Sequence, residues 1–156
     1  MKITTIVRIA VVSSSTTLLF LSCKTHFNTT EHQFTAQTYS NSLERGKNLC
    51  FNVCAPCHYN NSKGKFMGEK MDDIPKFMGQ VYASNLTSST SQGVGPYTDA
   101  ELKYLIKTGI SRDGRFIPYM LRPTMSDRDV NDIIVYLRSG ESLVIASDSI
   151  AGKTRY

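Results

Sequence analysis

Tryptophan is absent from the 156 residues, which removes one common large buried anchor. No cluster or stripe of Lys and Arg with interleaved aromatics is present. The formal charge of +5 is therefore spread thinly and gives no footprint for nucleic acid. No apolar run is long enough to span a bilayer, since the best one, residues 9–21, is short and is diluted by Ser13, Ser14, Ser15, Thr16 and Thr17. Charge is modest at 20%, and 40% of residues are apolar. Wholesale disorder and a polytopic membrane protein are both excluded by that balance, and one packed domain plus a tail fits the length. A domain of this size folds without disulfides, so the four cysteines call for another explanation.

Residues 1–22 read as an export signal: Lys2 and Arg8 precede the apolar stretch. The stretch ends Leu19-Phe20-Leu21-Ser22-Cys23, which resembles a bacterial lipobox. The resemblance implies cleavage before Cys23 and a lipid on its thiol, although Phe20 stands where lipoboxes favour Leu. The alternative is an ordinary secretory signal followed by an unrelated cysteine. Residues 23–40 are polar, Thr-rich and without a helical or strand period, so a tether from membrane to domain is expected. His26 and His32 lie in it, where a flexible chain cannot preorganise a metal site. The expected location is the bacterial envelope, facing the periplasm. Lys24 is not the Asp that holds lipoproteins at the inner membrane, which points to the outer one.

Cys54-Ala55-Pro56-Cys57-His58 is a C-x-x-C-H sequence, the pattern of c-type haem attachment. Two thiols three residues apart can each add to one vinyl group of a porphyrin, and the next residue, His58, can bind the iron through a ring nitrogen. Export agrees with this, because bacteria attach haem outside the cytoplasm. Two other uses of these cysteines exist. A thioredoxin-like dithiol needs a preceding strand in a βαβ unit, whereas residues 43–49 read as helix. A structural zinc needs four ligands, and there is no second C-x-x-C. Cys50 lies one helical turn before Cys54 and reads as a small buried apolar residue, with a regulatory or intermolecular thiol as the alternative.

The sixth iron ligand is expected from a distant segment. Met120, in Ile117-Pro118-Tyr119-Met120-Leu121-Arg122-Pro123, is the favoured candidate because flanking prolines stiffen its loop. Met125 precedes Ser126-Asp127-Arg128-Asp129, a helix N-cap with acidic residues in the first turn. It has a structural role open to it, as a staple against Val130. Met67, Met71 and Met78 are expected to pack against haem or core. Three helices are predicted. The first covers about 41–55. The second starts at Thr98, with Glu101 completing a capping box, and closes at Gly109. The third follows Ser126, has Val130, Ile133, Ile134 and Leu137 on one face, and closes at Gly140. Gly-rich loops join them. The fold class is all-α, with the domain at 41–140 and a C-terminal tail at 141–156.

Three stretches resemble a class I, single-haem cytochrome c domain such as accompanies periplasmic alcohol and gluconate dehydrogenases. They are residues 45–58; residues 82–87 with 93–102; and residues 108–115 followed by 125–130 and 136–139. The resemblance implies a cytochrome c fold around one covalent haem c with its iron, and electron transfer rather than enzymatic turnover. It implies Cys54, Cys57, His58 and Met120 as the cofactor-binding residues, with His58 and Met120 on the metal. In many relatives the ligand Met is followed by Pro, but Met120 is followed by Leu121. The resemblance also puts Gly46 against the Tyr136 region and the 85–97 stretch near the haem propionates, with Tyr97 where many relatives carry Trp. Expected partners are redox proteins on the dehydrogenase or terminal-oxidase side, and the membrane through the lipid on Cys23. Lys63, Lys65, Lys70 and Lys76 either steer an acidic partner or are solvated surface. The competing function is a haem subunit or ligand sensor with an open sixth site, for which no distal constellation is visible.

Overall fold

The computed structural model describes residues 33–154. The signal, Cys23, His26 and His32 lie outside the described residues. Among the described residues no helix is long and apolar enough to cross a membrane.

Helix α1 (Ser42–Leu49) runs into a π-helical turn, Cys50–Cys54, and then into α2 (Ala55–His58). The expected first helix thus continues to His58, but with one widened turn in which Ala55 N–H donates to the Cys50 carbonyl, five residues back. Such turns recur at functional sites because they rotate the residues that follow around the helix axis. Helix α3 (Asp99–Thr108) has both bonds of the capping box: Glu101 N–H to Thr98 Oγ1 at 3.2 Å, and Thr98 N–H to Glu101 Oε2 at 2.8 Å. Gly109 ends it in the left-handed region at φ +72°. Helix α4 (Asp127–Arg138) is capped by Ser126, whose hydroxyl accepts Asp129 N–H at 3.1 Å. It ends at Ser139, with Gly140 following at φ +74°. Apart from isolated bridges, no strand occurs among the described residues.

The core forms where α1 crosses α4. All four residues of the predicted α4 face are buried, and they meet Cys50, Phe66 and Leu86 together with Leu102 and Ile106 of α3. Gly46 permits the crossing. A Cβ there would sit 1.9 Å from the Asp132 carbonyl oxygen and 2.9 Å from Tyr136 Cβ. Beside it, Asp132 is fully buried and receives Ser42 Oγ at 2.6 Å, Arg128 Nε at 3.0 Å, Asn131 Nδ2 at 3.1 Å and Arg45 Nη1. Burial pushes its carboxyl upward, but these donors and the Arg128 charge more than offset it and hold the group below the usual carboxylate range.

Both ends of the described chain are docked. Ala36 N–H donates to Asp99 Oδ2 at 3.0 Å, and Gln37 exchanges two 2.8 Å bonds with the Asn131 amide. Lys103 Nζ stands 4.3 Å over the Phe34 ring. The last part of the expected tether therefore lies along α3 and α4. In the expected C-terminal tail, Val144 is fully buried, and the chain beyond it lies over the 82–91 loop.

Candidate functional site

A cavity of about 270 Å3 opens between α2, α3, the 81–97 loop and the 111–125 loop. Cys54, Cys57 and His58 share it. The helix that delivers them brings both thiols in unpaired, since no disulfide engages Cys50, Cys54 or Cys57.

His58 is 7% exposed. Its Nδ1–H donates to the Ser84 carbonyl at 2.7 Å, because a carbonyl can only accept. That bond fixes the tautomer and leaves Nε2 as a bare lone pair. Burial lowers the imidazole's basicity, with the Ser84 bond opposing it, so the ring is neutral at physiological pH. The His58 carbonyl is held in turn by Gly68 N–H at 2.8 Å. Gly68 lies at φ +82°, and a Cβ there would be 2.1 Å from the Ala83 carbonyl oxygen, so only glycine lets this loop close on the histidine.

Cys50 is fully buried, as expected of a small apolar residue, but its thiol also hydrogen-bonds the Cys54 sulfur. Acting as donor to Cys54, and buried, Cys50 is pushed far up. Cys54 is pulled down by that S–H donor, against burial and with help from the Arg122 charge. Of Cys50 and Cys54, the motif thiol Cys54 is thus the more readily ionised, and thiolate is the nucleophilic form of cysteine.

Leu86, Val94, Leu105, Ile106 and Ile133 give the cavity apolar walls. Met120 lies on it, in a 3-10 turn (Pro118–Met120), and so do Met125 and Met71. Met125 also packs on the core, and its carbonyl accepts Lys107 Nζ at 2.6 Å. The structure therefore brings both Met120 and Met125 to the cavity. Met67 is buried in the core, as expected.

Polar groups on the cavity are Gln92, Tyr97, Ser111, Arg115 and Arg122. Burial, ahead of the Asp113 charge, raises the Tyr97 hydroxyl, so it stays a donor. The 94–97 loop is held by Arg138, which donates to the Tyr97 carbonyl at 2.5 Å and the Val94 carbonyl at 3.2 Å, and by Arg112 to the Pro96 carbonyl at 3.0 Å. Asn85 also borders the cavity, but its amide is committed to the backbone of Ser147, Ser149 and Thr87. The two cavity arginines escaped the sequence reading, which looked for cations among the lysines after the motif. Of those, Lys70 is paired with Asp72 at 2.5 Å.

The donor set suits a porphyrin: two free thiols, a neutral imidazole with one bare nitrogen, thioethers on the same cavity and an apolar lining with guanidinium groups. Nothing in the surroundings favours the other uses of the motif. A helix, not a strand, leads into it, and among the described residues no three His, Cys, Asp or Glu side chains gather as a metal site.

The family model for cytochrome c matches residues 43–141. The cytochrome subunit of fructose dehydrogenase from Gluconobacter japonicus is 31% identical over 107 residues, covering 65% of this chain and 22% of that protein. A subunit of nicotinate dehydrogenase from Pseudomonas putida is 31% identical over 102 residues, 62% of this chain and 8% of that one. The cytochrome c subunit of the quinone alcohol dehydrogenase from Gluconacetobacter polyoxogenes is 27% identical over 99 residues, 61% and 21%. The chain thus spans between 8% and 22% of the length of these relatives.

Proposed function

The chain belongs to the cytochrome c family, and we propose that it is a single-haem electron carrier attached through Cys54 and Cys57, with His58 as proximal ligand and Met120 as sixth ligand. Membership brings covalent haem c and its iron, and with them haem-based electron transfer. The bound group supplies one-electron iron chemistry. The residues around it set how that electron is held.

The observation that carries the reading is the His58 imidazole, turned by the Ser84 carbonyl so that Nε2 is free, on the same cavity as two unpaired thiols. A neutral, oriented imidazole is the form that ligates iron. Cys54, lowered by Cys50 and Arg122, is held toward the nucleophilic thiolate form, which favours thioether formation. The apolar walls exclude water and so favour the less charged, reduced state. Arg115, whose Nε is paired with Asp113 at 2.6 Å, and Arg122, whose Nη1 holds the Tyr119 and Leu121 carbonyls, keep further guanidinium donors of the kind that bind carboxylates, which suits them to propionates. A filled sixth site leaves outer-sphere transfer as the task. Met120 is assigned to it, and Met125, on the same cavity, is the residue that takes the role if Met120 does not.

The relatives named above are subunits of dehydrogenases, which supports a dehydrogenase as the redox partner. The signal-like residues 1–22 and Cys23 support a lipid-anchored protein facing the periplasm, and Lys24, in place of a retention Asp, favours the outer membrane.

The test is an anaerobic redox titration of the exported protein with spectra, joined to acid-acetone extraction. The expected result is one low-spin haem that extraction does not release, lost when Cys54 and Cys57 are both Ser. Haem released by extraction refutes the attachment. Rapid carbon monoxide binding to the native ferrous form refutes the filled sixth site.

A further inference from the structure

The family match ends at residue 141, yet the chain beyond it is tied to the loop that orients His58. The ties fall on both sides of Ser84. Asn85, 4% exposed, donates from Nδ2 to the Ser147 carbonyl at 2.7 Å and the Ser149 carbonyl at 3.2 Å, while its Oδ1 accepts Thr87 N–H at 2.7 Å. Both donor bonds of the Asn85 amide go to the tail, while its oxygen anchors the loop's own backbone. Thr87, fully buried, accepts Ser147 N–H on Oγ1 at 3.2 Å. Asp148 Oδ1 accepts Ser89 Oγ at 2.6 Å and Ser91 Oγ at 2.8 Å. On the other side, Tyr82 N–H donates to Thr154 Oγ1 at 3.1 Å. Gly152 lies so close that a Cβ on it would meet the Tyr82 ring at 2.4 Å.

We infer that residues 147–154 are a brace on the proximal side of the haem: by clamping Tyr82, Asn85 and Thr87 they hold the Ser84 carbonyl on His58 Nδ1–H, and so help set the reduction potential. Ser84 offers only a backbone carbonyl for this bond, so its position depends on its neighbours, and the tail holds those neighbours. A firm Nδ1–H···O=C bond gives the imidazole imidazolate character, strengthens its donation to iron and favours the ferric state. Asn85 and the tail residues are positioning residues, acting through Ser84. The inference rests on His58 as proximal ligand.

Losing the brace acts on the potential in two opposing ways, and the His58 proton exchange rate reads the first of them directly. A weakened Nδ1–H bond raises the midpoint potential. Admission of water to the haem lowers it, because water favours the more charged ferric form. The experiment compares haem-loaded full chain, a chain truncated after Ala146, and Asn85→Ala. It reads the exchange rate of the His58 Nδ1 proton by NMR in the ferrous state and the midpoint potential by titration. The expected result is exchange at least about tenfold faster in both variants, from local opening of the loop, with the potential raised. Unchanged exchange overturns the brace, and faster exchange with an unchanged or lowered potential overturns its part in setting the potential through the Ser84 bond. Gly152→Val, which leaves the tail present but drives it off the Tyr82 ring, gives the same readouts if truncation abolishes haem loading. A wild-type protein without a low-spin, histidine-ligated haem refutes the ligation itself. A normal wild type with variants that match it refutes the brace alone.

Discussion

Replacing Gly46 by Ala tests the helix crossing on which the site is mounted. The new Cβ falls 1.9 Å from the Asp132 carbonyl oxygen, and an ordinary C···O contact is about 3.4 Å, so α1 and α4 must part by roughly 1.5 Å. The obstacle is backbone, which no rotamer change can clear. A gap of about 0.5–1 Å already forfeits a quarter to a half of a dispersion well, so the interface loses much of its packing energy. The same movement stretches the 2.6 Å Ser42–Asp132 bond beyond hydrogen-bond range, for about 1.5 kcal/mol or more. Against this, Ala in a helix is favoured over Gly by about 1 kcal/mol. Adding about 1–3 kcal/mol for overpacking, the net loss is about 3 kcal/mol. For a domain of this size that lowers Tm by about 10–15 °C. The assay is thermal unfolding of the haem-loaded protein, followed by far-UV circular dichroism and haem absorbance together. An unchanged or higher Tm refutes the close crossing.

Tyr136 Oη is the one buried side-chain polar atom without a partner among the described residues, so Tyr136→Phe removes an unsatisfied group and should stabilise the protein by about 1 kcal/mol in denaturant titration. A comparable loss instead reveals a bonded hydroxyl. Asp132 has a depressed pKa, so its contribution is complete above the unfolded Asp value of about 3.9 and is lost as pH falls through the lower folded value. Stability should therefore drop on acidification below about pH 4, and Asp132→Asn should be less stable at pH 7 with a shallower acid slope; an equal slope removes Asp132 as its source. Met120→Ala should lower the midpoint potential and abolish the far-red iron–sulfur band, while Met125→Ala should keep that band. The reverse pattern moves the ligand to Met125.

The parts of the fold that were legible in the sequence are those whose causes are local. Thr98 with Glu101, and Ser126 with its acidic first turn, specify helix starts through contacts three residues long, and both caps form. The α4 stripe needs only a period, and Gly46 needs only a family crossing to explain it. The C-x-x-C-H motif is legible because one helix turn presents all three groups at once. What escaped reading depends on backbone atoms, which have no letter. The π-helical turn at Cys50–Cys54 extends the first helix by a register that propensity does not encode. The acceptor for His58 is a carbonyl 26 residues away, and any residue at position 84 supplies one. The docked strap at 34–37 reads as polar, aperiodic chain because its attachments are backbone amides meeting Asp99 and Asn131, and the tail at 147–154 is held in the same way through main-chain carbonyls that meet Asn85.

That division bears on how the potential of this site is controlled. On the proposed ligation the attachment and proximal groups are written in a short motif, whereas the groups that would tune the iron are carbonyls and amides delivered by segments outside that motif. The Ser84–His58 bond is neutral and directional, so a displacement of a few tenths of an ångström in the 82–87 loop changes imidazole donation without breaking any ligand bond. Asn85 couples that loop to Ser147 and Ser149 through main-chain carbonyls, so the coupling is indifferent to the side chains at those two positions. Ser147→Ala and Ser149→Ala should therefore leave the midpoint potential at its wild-type value, while Asn85→Ala shifts it. A shift on changing either serine places the control in the side chains and removes the backbone route.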